Sequence, residues 1–482
     1  MKMSDIGITI KKAEDFSEWY TQVIIKSELA DYAPIKGCMV FREHSYAIWE
    51  KIQEIFNQKI KLTGHKNVYF PMFIPESFLK KEAAHFAGFV PEVAWVTVGG
   101  DTPLEERLAV RPTSETIMYA MYAKWIRSWR DLPIKLNQWC NIVRWETSAT
   151  KLFLRTREFL WQEGHTAHAT KEEADREVME ILGTYKDLME DYLAIPVLTG
   201  KKTEKEKFKG ALYTTTLEAM MPDGKALQMG TSHNLGQNFS KVFDIKFIGE
   251  DEKDHYVWQT SWGISTRLIG ALAMVHGDDK GLVLPPKIAP IQVVIIPITY
   301  KNADREVILE KARKTFEELR NKGIVVTLDD RVEYTPGWKF NEWELKGVPI
   351  RIEIGPRDVK QKQITLARRD TSKRIAIRNE EIANAVTELL EEIQSNLFNK
   401  AKKALDDNIT TVKTYSEFKE TLKEKGGFVR ACWCANSTCE EKIKEETGAT
   451  IRLIPFTKER VFSKCVYCGE EAGEVVYFAR AY

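Results

Sequence analysis

The chain has 482 residues, of which 43% are hydrophobic and 29% charged, and its formal net charge is +1. This length predicts two to four domains with separate cores, and the balanced charge excludes a global basic field, so any RNA partner would meet local basic patches. No apolar run reaches the ~18 residues that a membrane-spanning helix needs. The polar N-terminus also lacks the apolar core of a signal peptide. These features predict a cytoplasmic protein with no membrane partner.

The first elements are predicted to be helices. The segments EDFSEWYTQVIIKSEL and REHSYAIWEKIQEIFNQKIKLTG lie on either side of a turn, and Ile48, Ile52 and Ile55 recur at helical spacing in the second. An extended apolar run follows between His65 and Pro75, and a proline inside it argues against a central position in a sheet. Because helix followed by strand is a common arrangement, these elements alone indicate no function.

A strand, a turn and the start of a helix are predicted between Leu108 and Tyr119. Thr113 or Ser114 is suited to cap that helix, and Glu115 would place a negative charge in its first turn. The simplest interpretation is a capped helix.

Two strands joined by a basic loop are predicted between Ile134 and Ala169. Arg144 and Glu146 are two residues apart and therefore share one face of the first strand. An antiparallel pairing would place them beside a row of alternate residues in the second strand. Such a surface could pin a phosphate, stack a planar base and hold an ammonium group. The alternative is the charged, solvent-facing side of a hairpin. The row in the second strand consists of Phe159, Trp161, Glu163 and His165.

This stretch resembles the second signature motif of the class II aminoacyl-tRNA synthetases. The resemblance is carried by Arg144-x-Glu146, the loop, and Arg155-Thr-Arg157-Glu-Phe159, and the continuation FLWQEGHTAH is similar to the prolyl-tRNA synthetases in particular. It implies a catalytic core built on an antiparallel sheet. The helix and the proline-ended strand before Pro75 resemble the first motif, which implies a homodimer; a helix without an interface role is the alternative.

Two later segments add to the resemblance. The run between Lys171 and Leu193 predicts an amphipathic helix, and the charged segment after it is interpreted as mostly solvated. The segment ALQMGTSHNLG predicts a strand, in which a lone His233 could be merely structural. Arg267 enters an otherwise apolar helix, and because burying a lone cation costs several kcal/mol, an anionic ligand is its expected partner. Gly263-Ile-Ser265-Thr-Arg267 resembles the third motif of the family.

The resemblance implies ATP-dependent attachment of L-proline to tRNA-Pro through a prolyl-adenylate. Positioning and charge stabilisation would carry this chemistry, because neither step demands a protein nucleophile. Arg144 and Arg267 are the expected catalytic residues. The expected proline pocket consists of Thr113, Glu115, Arg144, Trp161, Glu163, Phe208 and His233. The expected ATP site, with Mg²⁺ bridging the distal phosphates, consists of Arg144, Glu146, Arg155, Thr156, Phe159, Gln228, Thr231 and Arg267.

Beyond a proline-rich boundary at residues 282–292, apolar strands alternate with helices and predict a small α/β domain with a mainly parallel sheet. It resembles the anticodon-binding domain of the class IIa synthetases. Residues 335–358 interleave aromatic and basic side chains, a composition typical of surfaces that bind unpaired bases; an amphipathic helix and an edge strand are the alternative. The residues expected to read anticodon guanines, in part through bidentate arginine contacts, are Phe340, Glu344, Arg351 and Arg357.

Five of the seven cysteines lie between Cys432 and Cys468. Cys434 with Cys439, and Cys465 with Cys468, have the spacing of two knuckles that bring four thiolates together, an arrangement that suits structural Zn²⁺. Cys432 is a spare that could replace Cys434, and five reduced thiols are the alternative. The expected domains are a catalytic domain at 1–286, an anticodon-binding domain at 287–403 and a small α+β zinc-binding domain at 404–482.

The family's bacterial-type members carry a large editing domain between the second and third motifs. Only about sixty residues separate His168 from Gln228 here, so no such insertion is expected. Together with the cysteine-rich tail, this implies the archaeal/eukaryote-like branch. Cysteine and alanine are then expected to be poorly rejected, because one methylene is worth only about 1–3 kcal/mol.

Two alternatives to this function are considered. A sibling class IIa synthetase, such as the threonyl enzyme, would need a histidine and cysteine metal site in the catalytic core, where Cys38 and Cys140 are in unsuitable contexts. A non-catalytic, synthetase-like RNA-binding protein should have lost arginines of the ATP site, yet Arg144, Arg155 and Arg267 are all present. Neither alternative is favoured.

Overall fold

The computed structural model describes residues 7–83, 92–145, 150–299 and 305–482. Glu146, which is predicted to contact ATP, lies outside the described residues. The α-helices of the described part are α1 (Phe16–Lys26), α2 (Glu43–Leu62), α3 (Glu76–Ala83), α4 (Glu115–Trp125), α5 (Lys171–Asp187), α6 (Asn238–Phe243), α7 (Arg267–His276), α8 (Arg305–Asn321), α9 (Pro336–Leu345), α10 (Pro356–Gln361), α11 (Ile382–Asp407), α12 (Tyr415–Glu424) and α13 (Ser437–Thr447).

The strands within the same ranges are short except in the middle of the chain. They are β1 (Ala30–Tyr32), β2 (Met39–Phe41), β3 (Lys66–Asn67), β4 (Phe73–Pro75), β5 (Trp95–Gly99), β6 (Thr102–Val110), β7 (Ile134–Val143), β8 (Glu158–His168), β9 (Leu198–Lys201), β10 (Tyr213–Met220), β11 (Ala226–Gly236), β12 (Lys246–Ile248), β13 (Asp254–Tyr256), β14 (Trp258–Ser265), β15 (Val293–Pro297), β16 (Val326–Leu328), β17 (Ile350–Ile354), β18 (Gln363–Arg368), β19 (Arg374–Arg378), β20 (Ile409–Thr411), β21 (Phe428–Trp433), β22 (Thr450–Pro455) and β23 (Glu474–Ala479).

A single large sheet organises the molecule. Its strand order is β20-β21-β23-β22-β9-β10-β11-β14-β8-β7-β3. The strands β7 and β8 pair antiparallel from Ile134 opposite Ala167 to Val143 opposite Glu158, as predicted from the sequence. The first strand ends one residue before Arg144, which therefore lies at the mouth of the loop. The antiparallel catalytic sheet expected of a class II core is thus confirmed.

Side-chain alternation divides the two faces of this sheet. In β14, Trp262 and Ile264 pack into the main apolar core with Phe56 of α2 and Tyr185 of α5. The intervening small residues of β14 point to the opposite face. The helix α5 is held in place by a capping box, in which the Thr170 side chain accepts the backbone N–H of Glu173. One face is therefore filled by helices and the other is free to form a site.

The next part of the chain forms a five-stranded sheet in the order β16-β15-β17-β18-β19. The strand β15 is parallel to both of its neighbours, but β17, β18 and β19 run antiparallel. The sheet is therefore mixed rather than mainly parallel. A parallel crossover needs about a dozen residues or more, and the short α10 between β17 and β18 does not provide them.

The C-terminal strands join the large sheet. The strand β22 pairs with β9, with Ile454 opposite Lys201 and Pro455 opposite Gly200. A Cβ atom at Gly200 would lie 2.4 Å from the Ile454 carbonyl oxygen, so this close pairing requires glycine. The helix α11 runs without a break across position 403, where one domain limit is predicted. In the described ranges no helix is both long and apolar enough to cross a membrane.

Candidate active site

A cavity of about 300 Å³ lies on the open face of the large sheet. The strands β8, β10, β11 and β14 form its floor, and most residues of the predicted proline and ATP sites line it. Those residues are Thr113, Glu115, Arg144, Phe159, Trp161, Glu163, Phe208, Gln228, Thr231, His233 and Arg267.

A neighbouring cavity of about 600 Å³ continues the first. Arg155 and Thr156, the remaining predicted ATP contacts among the described residues, line this second cavity. Arg144, Phe159 and Arg267 border both cavities. The two cavities therefore form one continuous cleft with arginines near its middle.

A buried ion pair forms one side of the first cavity. Glu163 Oε2 lies 3.0 Å from Nε2 of His165, and its Oε1 accepts the Ser114 hydroxyl at 2.5 Å. Burial by itself would raise the pKa of Glu163, but the hydrogen bond and charge of His165, with the Ser114 contacts, lower it. For His165 burial lowers the pKa, and the two carboxylates Glu163 and Glu115 raise it more. The contact therefore favours the carboxylate form of Glu163 and the protonated form of His165.

The start of α4 is arranged for ligand contact rather than for capping alone. Ser114 occupies the N-cap position but makes no side-chain cap hydrogen bond. Its backbone N–H and hydroxyl instead bind Glu163. The Thr113 hydroxyl donates to Oε2 of Glu115, and Glu115 is buried at the cavity wall. The prediction that one hydroxyl simply caps this helix is therefore wrong for Ser114.

Arg144 lies against the aromatic side chains of β8. Its guanidinium carbon is 5.7 Å from the ring centre of Phe159 and 5.5 Å from that of Trp161. Its Nε donates to the Pro112 carbonyl at 3.2 Å. These contacts orient the guanidinium over the junction of the two cavities.

Arg267 begins α7 and reaches the same junction. Its two terminal nitrogens donate, each at 3.3 Å, to the carbonyl oxygens of Gln228 and Leu154. Its Nε atom is buried and has no hydrogen-bond partner. Burial first, and then the charge of Arg144, lower the pKa of Arg267 to about 10. A cation in this setting favours an anionic ligand.

His233 forms a neutral wall of the cavity. Its Nδ1 is 2.9 Å from the Thr214 hydroxyl and its Nε2 is 3.0 Å from the Thr231 hydroxyl. Burial, assisted by the charge of His165, lowers the pKa of His233 to about 3. The Phe208 ring packs on it with a centroid separation of 4.9 Å. The two rings form a wall that carries no charge at neutral pH.

Some residues of the cavity carried no predicted role. One of them is His165. Its separation of two residues from Glu163 in the same strand was the sequence signal that could have assigned it to the site. Lys202 belongs to the segment interpreted as solvated, yet it is buried against Glu218 at 2.7 Å and lines the cavity. Only the tertiary contact with Glu218 distinguishes it from the neighbouring lysines. Burial, and then the charge of Glu163, raise the pKa of the Cys140 thiol to about 12.

The geometry assigns opposite character to the two ends of the cleft. Glu115 and the aromatic walls suit an ammonium group on a small apolar body. The arginines suit a carboxylate and several phosphates. An amino acid and a nucleoside triphosphate could therefore lie end to end, with their reactive groups meeting at Arg144 and Arg267.

Three of the four predicted anticodon residues lie together at α9 and β17. The guanidinium of Arg351 is 4.2 Å from the Phe340 ring centre, and its Nη1 is 3.7 Å from Glu344. Arg351 is already bound by Glu353 at 2.9 Å, so contact with a base would require it to exchange partners. Arg357 is separate and exposed in the first turn of α10.

The predicted metal ligands converge. The Sγ atoms of Cys434, Cys439, Cys465 and Cys468 all lie within 4.8 Å of one another. The measured separations include 3.7 Å for Cys434–Cys439 and 3.8 Å for Cys434–Cys468. Zn–S bonds of about 2.3 Å at tetrahedral angles give sulfur separations of about 3.8 Å, so the four thiols fit Zn²⁺. The sulfur of Cys432 instead accepts the Phe462 N–H at 3.5 Å.

Three protein-family models match successive parts of the chain. The tRNA synthetase class II core domain (G, H, P, S and T) matches residues 96–276, and the anticodon binding domain matches residues 292–389. The prolyl-tRNA synthetase C-terminal family matches residues 415–482.

Curated proteins are similar over almost the whole length. A proline–tRNA ligase of Natranaerobius thermophilus is 57% identical over 473 residues, which are 98% of this chain and 97% of the relative. Proline–tRNA ligase 2 of Clostridioides difficile is 55% identical over 98% of this chain and 97% of its own. A proline–tRNA ligase of Cenarchaeum symbiosum is 54% identical over 99% of this chain and 100% of its own.

Proposed function

Because this chain belongs to the prolyl-tRNA synthetases, we propose that the cleft beside the Glu163–His165 pair is where it activates proline. The enzyme attaches L-proline to tRNA-Pro at the expense of ATP, through a prolyl-adenylate. The observation that carries the assignment of the site is the junction of an acidic, aromatic pocket with an arginine-lined cleft. The class II core domain matched at residues 96–276 supports the reaction.

The first cavity is proposed to hold proline. Glu115 and Thr113 would receive its ammonium group, and the rings of Trp161, Phe208 and His233 would enclose its apolar body. Glu163 would not neutralise the ammonium group of proline, because its carboxylate already binds His165 and Ser114. Its proposed role is to fix the positions of these two residues in the pocket wall.

The second cavity and the junction are proposed to hold ATP. Phe159 would stack on the adenine, with Thr156, Gln228 and Thr231 as polar contacts. Arg155 and Arg267 would bind the distal phosphates, and Glu146 is proposed as a further ATP contact, as the resemblance implies. Mg²⁺, which class II synthetases generally use, would neutralise part of the phosphate charge when bound.

Arg144 is proposed to act on the reacting groups themselves. From the junction it would hold the proline carboxylate and the α-phosphate together, which lowers the entropy cost of their encounter. In the in-line step a carboxylate oxygen bonds to the α-phosphorus while the bond to the departing pyrophosphate breaks. Arg144 and Arg267 would stabilise the charge that accumulates on the phosphoryl oxygens. No general base is required, because the attacking carboxylate is already ionised.

The remaining sites extend this proposal. The four clustered cysteines would hold a structural Zn²⁺, which supplies folding energy and leaves no open position for catalysis. Phe340, Glu344, Arg351 and Arg357 would contact anticodon guanines.

A homodimer is supported by exposed apolar side chains near the first motif, including Tyr32, Ile35, Leu62 and Tyr69. A cytoplasmic location is part of the same proposal. The domain limits at 286/287 and 403/404 also remain proposals.

The test is ATP–pyrophosphate exchange without tRNA, with proline, cysteine, alanine and threonine compared. Exchange with proline is expected, and light scattering should give the mass of two chains. Because only about sixty residues separate His168 from Gln228, and α5, β9 and β10 lie among them, the segment has no room for a large editing domain. Alanine and cysteine should be activated detectably, because one methylene is worth only about 1–3 kcal/mol of discrimination. A proline-to-alanine ratio of kcat/KM far above ~10⁴ would contradict poor rejection.

A further inference from the structure

A carboxylate of the catalytic sheet is buried against a cation from the C-terminal part of the chain. Glu218 of β10 is fully enclosed, and Arg452 of β22 is almost as deeply buried. Glu218 Oε2 accepts Nε of Arg452 at 3.0 Å and its Nη2 at 2.9 Å. Lys202 Nζ lies 2.7 Å from the other oxygen, Oε1. The carboxylate is thus held by two cations that come from different parts of the sequence.

The local backbone is built for this contact. The pairing of β22 with β23 shifts register between Ile451 and Leu453, which leaves Arg452 as the extra residue of a β-bulge. Bulges redirect a side chain and are frequent beside active sites. The pairing of β10 with β11 also shifts register between Leu217 and Glu218, where Met229 of β11 is the extra residue. Arg452 is thus a bulge residue, and Glu218 lies beside a bulge of the neighbouring strand.

The ion pair touches the wall of the active-site cavity. Lys202, which lines the cavity, donates from Nζ to the Arg452 carbonyl at 2.9 Å. The neighbouring residue Thr203 donates from its hydroxyl to Glu440 of α13 at 2.7 Å. The segment that leads to Phe208 is therefore anchored on the C-terminal part by two separate hydrogen bonds.

The same carboxylate lies close to the arginine proposed for the distal phosphates. The cross-strand partner of Glu218 is Gln228, whose carbonyl accepts an N–H of Arg267. The backbone of Gln228 therefore links the strand position of Glu218 to Arg267.

We propose that Arg452 is a positioning residue for the active site, which, with Lys202, holds the Glu218 carboxylate and so leaves Arg267 available to the phosphates of ATP. The inference rests on the proposed role of Arg267. A buried carboxylate that loses one partner is strongly destabilised unless another cation replaces it. Without Arg452, the carboxylate would recruit Arg267 and withdraw it from the cleft.

The first test is the variant R452M, which removes the charge and keeps an unbranched side chain. Pyrophosphate exchange with proline saturating should show a KM for ATP raised about tenfold. With ATP saturating, the KM for proline should change less than about twofold. The matched control is R430M. Arg430 lies in β21, and its ion pair with Glu459 stays within the C-terminal part, so its KM for ATP should equal that of the parent.

The second test is the double variant E218Q/R452M, which removes both charges. If Arg452 acts through the Glu218 carboxylate, the double variant should recover most of the lost ATP affinity. A merely structural pair predicts the reverse, with the double variant no better than R452M and the KM for ATP equal in R452M and R430M. Either result overturns the inference. If R452M does not fold, R452Q is compared with R452K, which keeps the charge, and a KM for ATP that is equal in these two variants overturns the inference.

The variant R267M separates this inference from the proposed function. If R267M leaves the KM for ATP unchanged, the proposed role of Arg267 fails, and the inference about Arg452 fails with it. If R267M raises the KM and R452M does not, only the inference about Arg452 fails. Thermal unfolding of each variant, with and without MgATP, shows whether a loss of affinity reflects a loss of fold.

Discussion

At the scale of single residues, the positions of charged side chains make the two ends of the cleft chemically different. Glu115 lines the cavity proposed for proline, whereas Arg144 and Arg267 border both this cavity and the one proposed for ATP. Glu163 is buried close to Glu115 but is paired with His165. With Glu163 paired internally, Glu115, which accepts the Thr113 hydroxyl, is the carboxylate proposed to receive a substrate ammonium group.

The variant E115Q tests the ammonium contact. Replacing a charged acceptor by a neutral one should cost about 2–3 kcal/mol of binding, a rise of about 30- to 100-fold in the KM for proline. The KM for ATP should change less than about twofold, as measured by pyrophosphate exchange. The control is E105Q, at an exposed position of β6. An unchanged KM for proline in E115Q would exclude this assignment.

The buried position of His233 leads us to expect that the free energy of unfolding depends on pH. Its pKa is about 3 in the folded chain, below the ~6.5 of an unfolded histidine. The unfolded state therefore binds the proton first as the pH falls, and stability decreases below pH ~6.5. Between pH ~6.5 and 5, this effect of His233 should lower the free energy of unfolding by about 2 kcal/mol. In H233N the free energy of unfolding, from urea titrations, should depend less steeply on pH in this range. H255N, at an exposed histidine, should retain the parental slope.

At the scale of elements, the amphipathic pattern of each strand separates core from site. The pattern FLWQEGH predicted a strand with one chemical face, and β8 has that face in the cavity. The other face contains Gly164, which lies against Trp262 of β14. A Cβ atom at Gly164 would come within 2.1 Å of that indole ring. The glycine is thus required by close packing between strands.

The variant G164A tests this packing. Trp262 is enclosed by Phe56, Tyr185 and His65 and has no room to move, so overpacking should cost about 3 kcal/mol or more. The control G183A lies on an exposed face of α5, where a Cβ meets nothing within 4 Å. That change should stabilise the chain by up to about 1 kcal/mol. Urea denaturation of both variants gives the comparison, and equal stability of G164A and the parent would contradict the argument.

At the scale of the whole molecule, the C-terminal part is continuous with the catalytic sheet. The pairing of β22 with β9 and the contact of Arg452 with Glu218 connect it to the floor of the site. A change in its folding should therefore be felt in catalysis. This continuity distinguishes it from a domain that is merely appended to the catalytic part.

Removal of the metal tests this connection. Metal analysis should find one zinc ion per chain, and C465S should lose it, because three thiolates leave the tetrahedral set incomplete. The melting temperature and the rate of pyrophosphate exchange should both fall. C432A is the matched control, since Cys432 lies outside the cluster, and it should retain its zinc. A C465S variant with normal exchange would show that the two parts are uncoupled.

The sequence by itself determined the family, the antiparallel hairpin and most of the residues that line the cleft. It could do so because strand period, short motifs and cysteine spacing are local properties of the chain. Tertiary structure alone decided that Ser114 binds Glu163 and that Lys202 is buried. It also showed that the thiol of Cys432 lies outside the cysteine cluster. These outcomes depend on partners distant in sequence, and solvation, pairing and pKa are set by such partners rather than by neighbouring residues.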